Sequence, residues 1–159
     1  MPTEAEWEYA CRAGSKTALS NGKLTILGEH NGSELDEVAW YGGNSSVGFE
    51  LSNGYDCSVW SEKQYEGTKA GTHPVAKKTK NPWGFYDMHG NVWEWCQDWY
   101  GAYSPISQIN PVGPDSSTTN RRVVRGGSWA YDANNCRVTV RNGQVETDKK
   151  VDIGFRLAL

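Results

Sequence analysis

The side chains with the widest chemical repertoire in this chain are four cysteines, three histidines and the acids threaded through one aromatic run. Cys11, Cys57, Cys96 and Cys136 lie 46, 39 and 40 residues apart, and no CxxC pair occurs. That spacing argues against a zinc site of the usual kind. Four cysteines allow three disulfide pairings, yet Cys11 and Cys96 stand among aromatics and read as buried free thiols. The compartment stays open. His30 and His73 have no ligand partners at useful spacing and are expected at the surface. The run Asn81 to Tyr100, NPWGFYDMHGNVWEWCQDWY, carries Trp83, Trp93, Trp95 and Trp99, half of the eight tryptophans, with Asp87, Glu94 and Asp98 between them. So many rings cannot all be wet. They are expected to nucleate a core, which leaves the interleaved acids and glycines for another task.

The elements that must hold these residues follow from pattern. Thr3-Glu4-Ala5-Glu6 is a capping box, and Trp7, Ala10 and Cys11 continue at helical spacing until Gly14 offers a left-handed stop. The pattern predicts a helix over Glu4 to Ala13. From Ser15 to Ala70, the pairs Asn21-Gly22, Asn31-Gly32 and Asn53-Gly54 signal turns and irregular, packed loops. Val38 to Tyr41 reads as a short extended piece. Asn81 to Gly84 reads as a turn that delivers Phe85 and Tyr86 into the core, and Asn91 to Trp99 as a short strand or bend. Gly101 to Asn120, with Pro105, Pro111 and Pro114, reads as a surface loop. Strands are expected at Arg122 to Arg125, at Cys136 to Arg141 by alternation, and at Ile153 to Leu159. Trp40 and Tyr103 are expected in the core.

Composition bounds the function. A chain of 159 residues is one domain's worth, and 18 glycines with 12% aromatics suggest a ring-filled core joined by tight turns. The net charge of −3 and the lack of a basic stripe argue against nucleic acid; the run Lys77 to Lys80 reads as a solvated loop. No apolar stretch approaches the roughly 20 residues of a membrane span, and no signal peptide opens the chain. An upstream signal, if one precedes these residues, would place the protein at the cell surface or outside the cell.

Three blocks resemble a known family: Pro2 to Gly14 (PTEAEWEYACRAG), Asn81 to Tyr100, and Arg125 to Leu159 with its RGGSW, CRV and GFRL landmarks. Together they resemble the formylglycine-generating enzymes, or sulfatase-modifying factors. The resemblance implies an α+β fold, a variant of the C-type lectin fold with little regular secondary structure. It implies a single domain over residues 1–159, and family domains begin well before the first helix here, so an N-terminal part is expected to be absent. The resemblance also implies a calcium site, with carboxylates from Asp87 and Glu94 and carbonyls from Gly90 and Val92. Calcium takes six to eight hard oxygen ligands, which these residues could help supply. The competing reading has Asp87 and Glu94 capping turns and pairing with arginine.

The catalytic question falls in RGGSWAYDANNC, Arg125 to Cys136. In the enzymes this family is named for, two cysteines five positions apart bind copper and oxidise a substrate cysteine. Here Cys136 matches the second and Tyr131 stands at the first. One thiolate cannot build a two-sulfur Cu(I) site, so copper and oxidase chemistry are not expected. Were the chain an enzyme, Cys136 and Ser128 would be its catalytic residues. The leading reading is a non-catalytic ligand-binding domain, whose face is Ala130, Tyr131, Asp132, Ala133, Asn134 and Asn135 with Thr139, Asn142 and Gly143. Tyr and Asn suit adaptable surfaces, and the partner would be a protein or a glycan. The layout also resembles the variable proteins of diversity-generating retroelements, in which Asn codons are randomised at their adenines. Ala130, Tyr131, Asp132, Thr139, Val140 and Gly143 are compatible with that origin.

Overall fold

The computed structural model describes residues 1–158. Helix α1, Glu4–Arg12, opens on the capping box: Thr3 Oγ1 accepts from the Glu6 amide at 3.2 Å, and Glu6 Oε2 accepts from the Thr3 amide at 2.8 Å. The helix stops one residue earlier than predicted. Ala13 itself takes the left-handed conformation, with φ of 45°, ahead of Gly14. The turn-rich segment that follows holds only short pieces: a 3₁₀ turn at Ser33–Leu35, β1 at Ala39–Trp40, and the antiparallel pair β2 (Tyr55–Asp56) and β3 (Lys69–Ala70). Strand β4, His89–Gly90, runs parallel to β1.

The main sheet has the order β7-β6-β5-β8, from β5 (Trp93–Trp99), β6 (Arg121–Arg125), β7 (Arg141–Val145) and β8 (Ile153–Gly154). Its central pairs β5–β6 and β6–β7 are antiparallel, and β8 joins β5 in parallel. Two predicted strands sit elsewhere or shrink. Ala133–Cys136 is a 3₁₀ turn, and Val140 bonds back to Arg137 in a further turn, so the ladder starts only at Arg141. The alternation of Cys136 to Arg141 is an alternation of burial without pairing. At the other end only Ile153 and Gly154 pair; the predicted position 159 lies outside the described residues.

The tryptophan run does not pack as its density suggests. Strand side chains alternate between faces, and β5 turns its even positions, Glu94, Cys96 and Asp98, inward to full burial. Trp93 is buried on the other face, but Trp95 and Trp99 are half-exposed, and Trp99 lies under the Arg122 guanidinium, 3.3 Å from its ring centre. Trp83, Phe85 and Tyr86 are exposed, as is Tyr103. Trp40 is half-buried and stacks on His73. The core instead gathers around Trp7, Cys11, Met88, Cys96, Val123 and Val138, with a second cluster at Leu19, Leu35, Val38, Tyr41, Ala133 and Cys136. The inward acids are matched by α1 and the C-terminal segment. The Trp7 indole N–H donates to Glu94 Oε2 at 2.6 Å, and the Glu4 amide donates to Asp98 Oδ2 at 2.6 Å. Arg156 grips Glu94 with two bonds, Nε to Oε2 and Nη2 to Oε1, both 2.6 Å. Removing one partner of a buried charge pair leaves the other unmatched, at a cost of about 3–5 kcal/mol. Arg156→Met is therefore expected to lower the unfolding free energy by about 3 kcal/mol, read from urea titration. A loss below about 0.5 kcal/mol would mean that the pair behaves as an exposed one.

Candidate functional site

The loop from Trp129 to Cys136 is held at both ends by buried contacts. Gly126 and Gly127 precede it with φ of 99° and 78°. A Cβ on Gly127 would stand 2.9 Å from Cys136 Sγ, so no other residue fits this turn without displacing the thiol. Ser128 is buried, and its hydroxyl faces Asp152 at 3.4 Å. The Trp129 amide donates to the Asn91 carbonyl at 2.9 Å, and its own carbonyl accepts from Ser45 Oγ at 2.8 Å. The aromatic stretch thus fastens the loop's first end.

Within the loop, the Tyr131 ring meets Trp93 edge-on, with centroids 5.3 Å apart and planes at 89°. The Tyr131 carbonyl accepts from the Gly42 amide at 2.8 Å. Burial, with the nearby Asp152 carboxylate, pushes the Tyr131 phenol up from its ordinary range. Asp132 caps the 3₁₀ turn, taking the Asn135 amide at 3.1 Å and the Asn135 side chain at 2.8 Å. Ala133 is fully buried and points away from any outer face. Asn134 is exposed, and Ala130, Tyr131, Asp132 and Asn135 are half-exposed.

The remaining members of the predicted face lie apart. Tyr131 adjoins β5 and Asp152 on the β8 side of the sheet, whereas Asn142 and Gly143 sit in β7 at the opposite edge. Gly143 is buried beneath Tyr100, where a Cβ would meet the ring at 2.6 Å. Thr139 is exposed and faces a cleft beside α1. Nine predicted positions therefore reduce to five accessible ones in the loop itself, with Thr139 and Asn142 elsewhere. Sequence reasoning missed the loop's aromatic neighbours: Trp60 stacks on Trp129 at 6.2 Å and on His30 at 5.5 Å, and the exposed Tyr55 lies 6.0 Å from both Trp60 and Trp129. The segment around Trp60 has no periodicity that would have placed it there. His30 is buried, contrary to expectation, with Nδ1 at 2.9 Å from the Ser61 carbonyl.

Copper does not fit this site. All four cysteines are free and buried, and Tyr131 supplies a phenol at the position of the first thiol. Cys136 has no solvent exposure, and burial together with Asp132 pushes its thiol up, keeping it protonated. Its carbonyl takes the His89 Nδ1 proton at 2.8 Å, while His89 Nε2 accepts from the Ser20 amide at 3.1 Å. Burial draws His89 down to about 4, so the ring is neutral.

The predicted calcium residues fare similarly. Both Glu94 oxygens are taken by Arg156 and Trp7, and Arg156 Nη2 also reaches the carbonyls of Tyr86 and Asp87 at 3.1 and 3.3 Å. Asp87 Oδ2 accepts from the Ala76 amide at 2.8 Å. Gly90 adopts φ of 72° against the Trp40 backbone, where a Cβ would collide with the carbonyl. The guanidinium occupies the Glu94 carboxylate that a cation would need, and no cluster of three His, Cys, Asp or Glu gathers among the described residues. As arranged, the Glu94 carboxylate is not open to calcium, and the Asp87 carboxylate is turned to the Ala76 amide; nothing further bears on Gly90 and Val92.

This geometry sits on a scaffold with known relatives. The whole chain, residues 1–159, matches the sulfatase-modifying factor enzyme 1-like domain, and it belongs to that family. The fold is the family's α+β, C-type lectin-like one. The chain is 32% identical over 173 residues to the formylglycine-generating enzyme of Thermomonospora curvata, covering 99% of this chain and 48% of that protein. It is 31% identical over 169 residues to a mouse protein named inactive C-alpha-formylglycine-generating enzyme 2, covering 99% and 42%. Among solved structures, Treponema denticola variable protein 1 superposes with a TM-score of 0.71 at 34% identity, over 98% of this chain and 45% of that one. The chain thus spans less than half the length of these relatives. No helix among the described residues is long and apolar enough to cross a membrane. Millimolar calcium or a chelator is expected to shift the thermal midpoint by less than about 1 °C. Stabilisation by several degrees, as ligand linkage gives above the dissociation constant, would contradict a Glu94 carboxylate committed to Arg156 and Trp7.

Proposed function

We propose that this chain is a non-catalytic ligand-binding domain whose binding face is the accessible part of the Trp129–Cys136 loop, centred on Tyr131. The observation that carries the reading is the pairing of a half-exposed phenol at position 131 with a wholly buried, protonated thiol at position 136. Oxidation of a substrate cysteine through thiolate-bound copper needs two accessible sulfurs, and this loop offers none. What it offers instead is a tyrosine seated on Trp93, an exposed Asn134, and a backbone pinned at Trp129, Tyr131 and Ala133. Rigid aromatic contact flanked by adaptable polar groups suits recognition of a protein or glycan surface. The likeness to a variable protein supports a diversified loop on a fixed scaffold. The similarity to formylglycine-generating enzymes keeps a copper-dependent oxidase as the alternative.

Two measurements separate these. Incubation with Cu(I), oxygen and a peptide carrying the CxPxR sulfatase motif is expected to yield no aldehyde; formation of the aldehyde would favour the oxidase. The coding sequence from Ala130 to Asp152, compared with a nearby template repeat, is expected to differ chiefly at the adenines of Asn codons. Absence of such a repeat would remove the retroelement origin and leave the binding module.

A further inference from the structure

A cleft of about 790 Å³ opens between the outer face of α1, the loop after β5 and the start of β7. That volume falls in the range of small-molecule sites, roughly 300–1,000 Å³. Its charged floor is closely matched except at one point. Glu4 is held by Arg141 through two bonds of 2.8 and 2.6 Å, and Arg125 reaches both Glu4 and Glu8. Glu8 also pairs with Arg12 at 2.8 Å. Three carboxylates and three guanidinium groups meet there, but every guanidinium is spent on Glu4 or Glu8. Asp98 is the carboxylate left over. It is only 4% exposed, takes the Glu4 amide through Oδ2 and forms no ion pair among the described residues. Arg141, the cation facing it from β7, is already doubly bonded to Glu4, and its remaining nitrogen donates to the Gly101 carbonyl at 2.6 Å.

Above this buried carboxylate, which has the Glu4 amide but no ion pair of its own, the walls are apolar. Tyr9, Tyr103 and Ile106 are 69%, 64% and 75% exposed, and all three line the cleft. Tyr103 is fixed by its hydroxyl, which donates to Glu4 Oε1 at 3.0 Å. Large apolar side chains left open around a desolvated charge of one sign are complementary to a ligand with an apolar body and a charge of the other sign.

We propose that the cleft is a binding site for an organic cation, an ammonium group on an apolar or aromatic stem, with the ammonium on Asp98 and the stem between Tyr9, Tyr103 and Ile106. The Tyr103 ring already carries the Arg141 guanidinium, 4.2 Å from its centre, so Tyr9 is the ring that can attract the cation as it enters. The ammonium could belong to a free amine or to a lysine side chain of a peptide; the chemistry recognised is the same. The site is separate from the Tyr131 loop, and its reading stands on Asp98 alone, so either can fail without the other.

The test is calorimetric or NMR titration of the full chain with phenethylamine, with N-acetyl-Phe-Lys-amide, and with 2-phenylethanol as the uncharged isostere. Saturable binding of one or both cations is expected, at least tenfold tighter than the alcohol. Asp98→Asn, which keeps the acceptor for the Glu4 amide, is expected to erase that preference, and Ile106→Ala, an exposed change that spares the fold, to weaken the cations several-fold. A preference for phenethylamine marks a free amine as the ligand class, and a preference for the peptide marks a lysine side chain. Equal affinity for 2-phenylethanol on the unaltered chain, or no saturable binding of either cation, would overturn the proposal. So would an Asp98→Asn protein that is folded by circular dichroism and binds the cations unchanged.

Discussion

The structure depends on how one face of β5 is satisfied. Glu94 and Asp98 point inward beside Cys96, where two bare carboxylates could not remain charged without partners. Each is answered by a different part of the chain. Trp7 and Arg156 close on Glu94, and the first turn of α1 supplies the amide for Asp98. Residues 87 positions apart on one side and 62 on the other are thereby brought to a single carboxylate. With so little regular secondary structure, such long-range polar ties do the work that extended ladders do in other folds. Arg125, fully buried at the end of β6, extends the network to Glu4, Glu8 and the Val140 carbonyl.

The same strand supports the Trp129–Cys136 loop. Because Glu94 is turned inward, Trp93 faces the other way, and Tyr131 rests on it. The loop's geometry is then fixed by neighbours that are themselves committed: Asn91 and Ser45 at Trp129, Gly42 at Tyr131, Glu29 at Ala133. Side chains at Ala130, Tyr131 and Asn134 can change without disturbing these backbone bonds. A scaffold with that property can carry different recognition surfaces, or a catalytic pair where the thiols are present. In this chain the thiol that remains is buried under the Gly127 turn.

Local features of the sequence were legible. The capping box, the turn-rich first half, the long surface loop and the free buried thiols all follow from residue types at short range. The three family blocks placed the fold as a whole. What could not be read is which face of β5 would be inside. Four tryptophans announce a core, but alternation makes Trp93, Trp95 and Trp99 share one face, and the side covered by α1 is the acidic one. The choice rests on Trp7 and Arg156, which lie far away in sequence. Nor could the sequence show that Arg156 would pair with the Glu94 carboxylate and reach the Asp87 carbonyl, or that the Asp87 carboxylate would turn to the Ala76 amide. The predicted binding face joins Ala130 to Asn135 with Thr139, Asn142 and Gly143 by their nearness in sequence, but the sheet order β7-β6-β5-β8 sends Asn142 and Gly143 to the far edge. The cleft at Asp98 had no sequence signal, because it is assembled from α1, a proline-rich loop and β7.

The state of Cys136 decides between a recognition surface and a catalytic one most directly. Alkylation of the native protein with iodoacetamide, followed by peptide mass mapping, reads the accessibility of each thiol. Cys136 should stay unmodified in the native chain at neutral pH and react fully once the protein is unfolded in urea. Rapid native alkylation at Cys136, or its protection by one equivalent of Cu(I), would contradict a buried, protonated thiol and return the loop to catalysis.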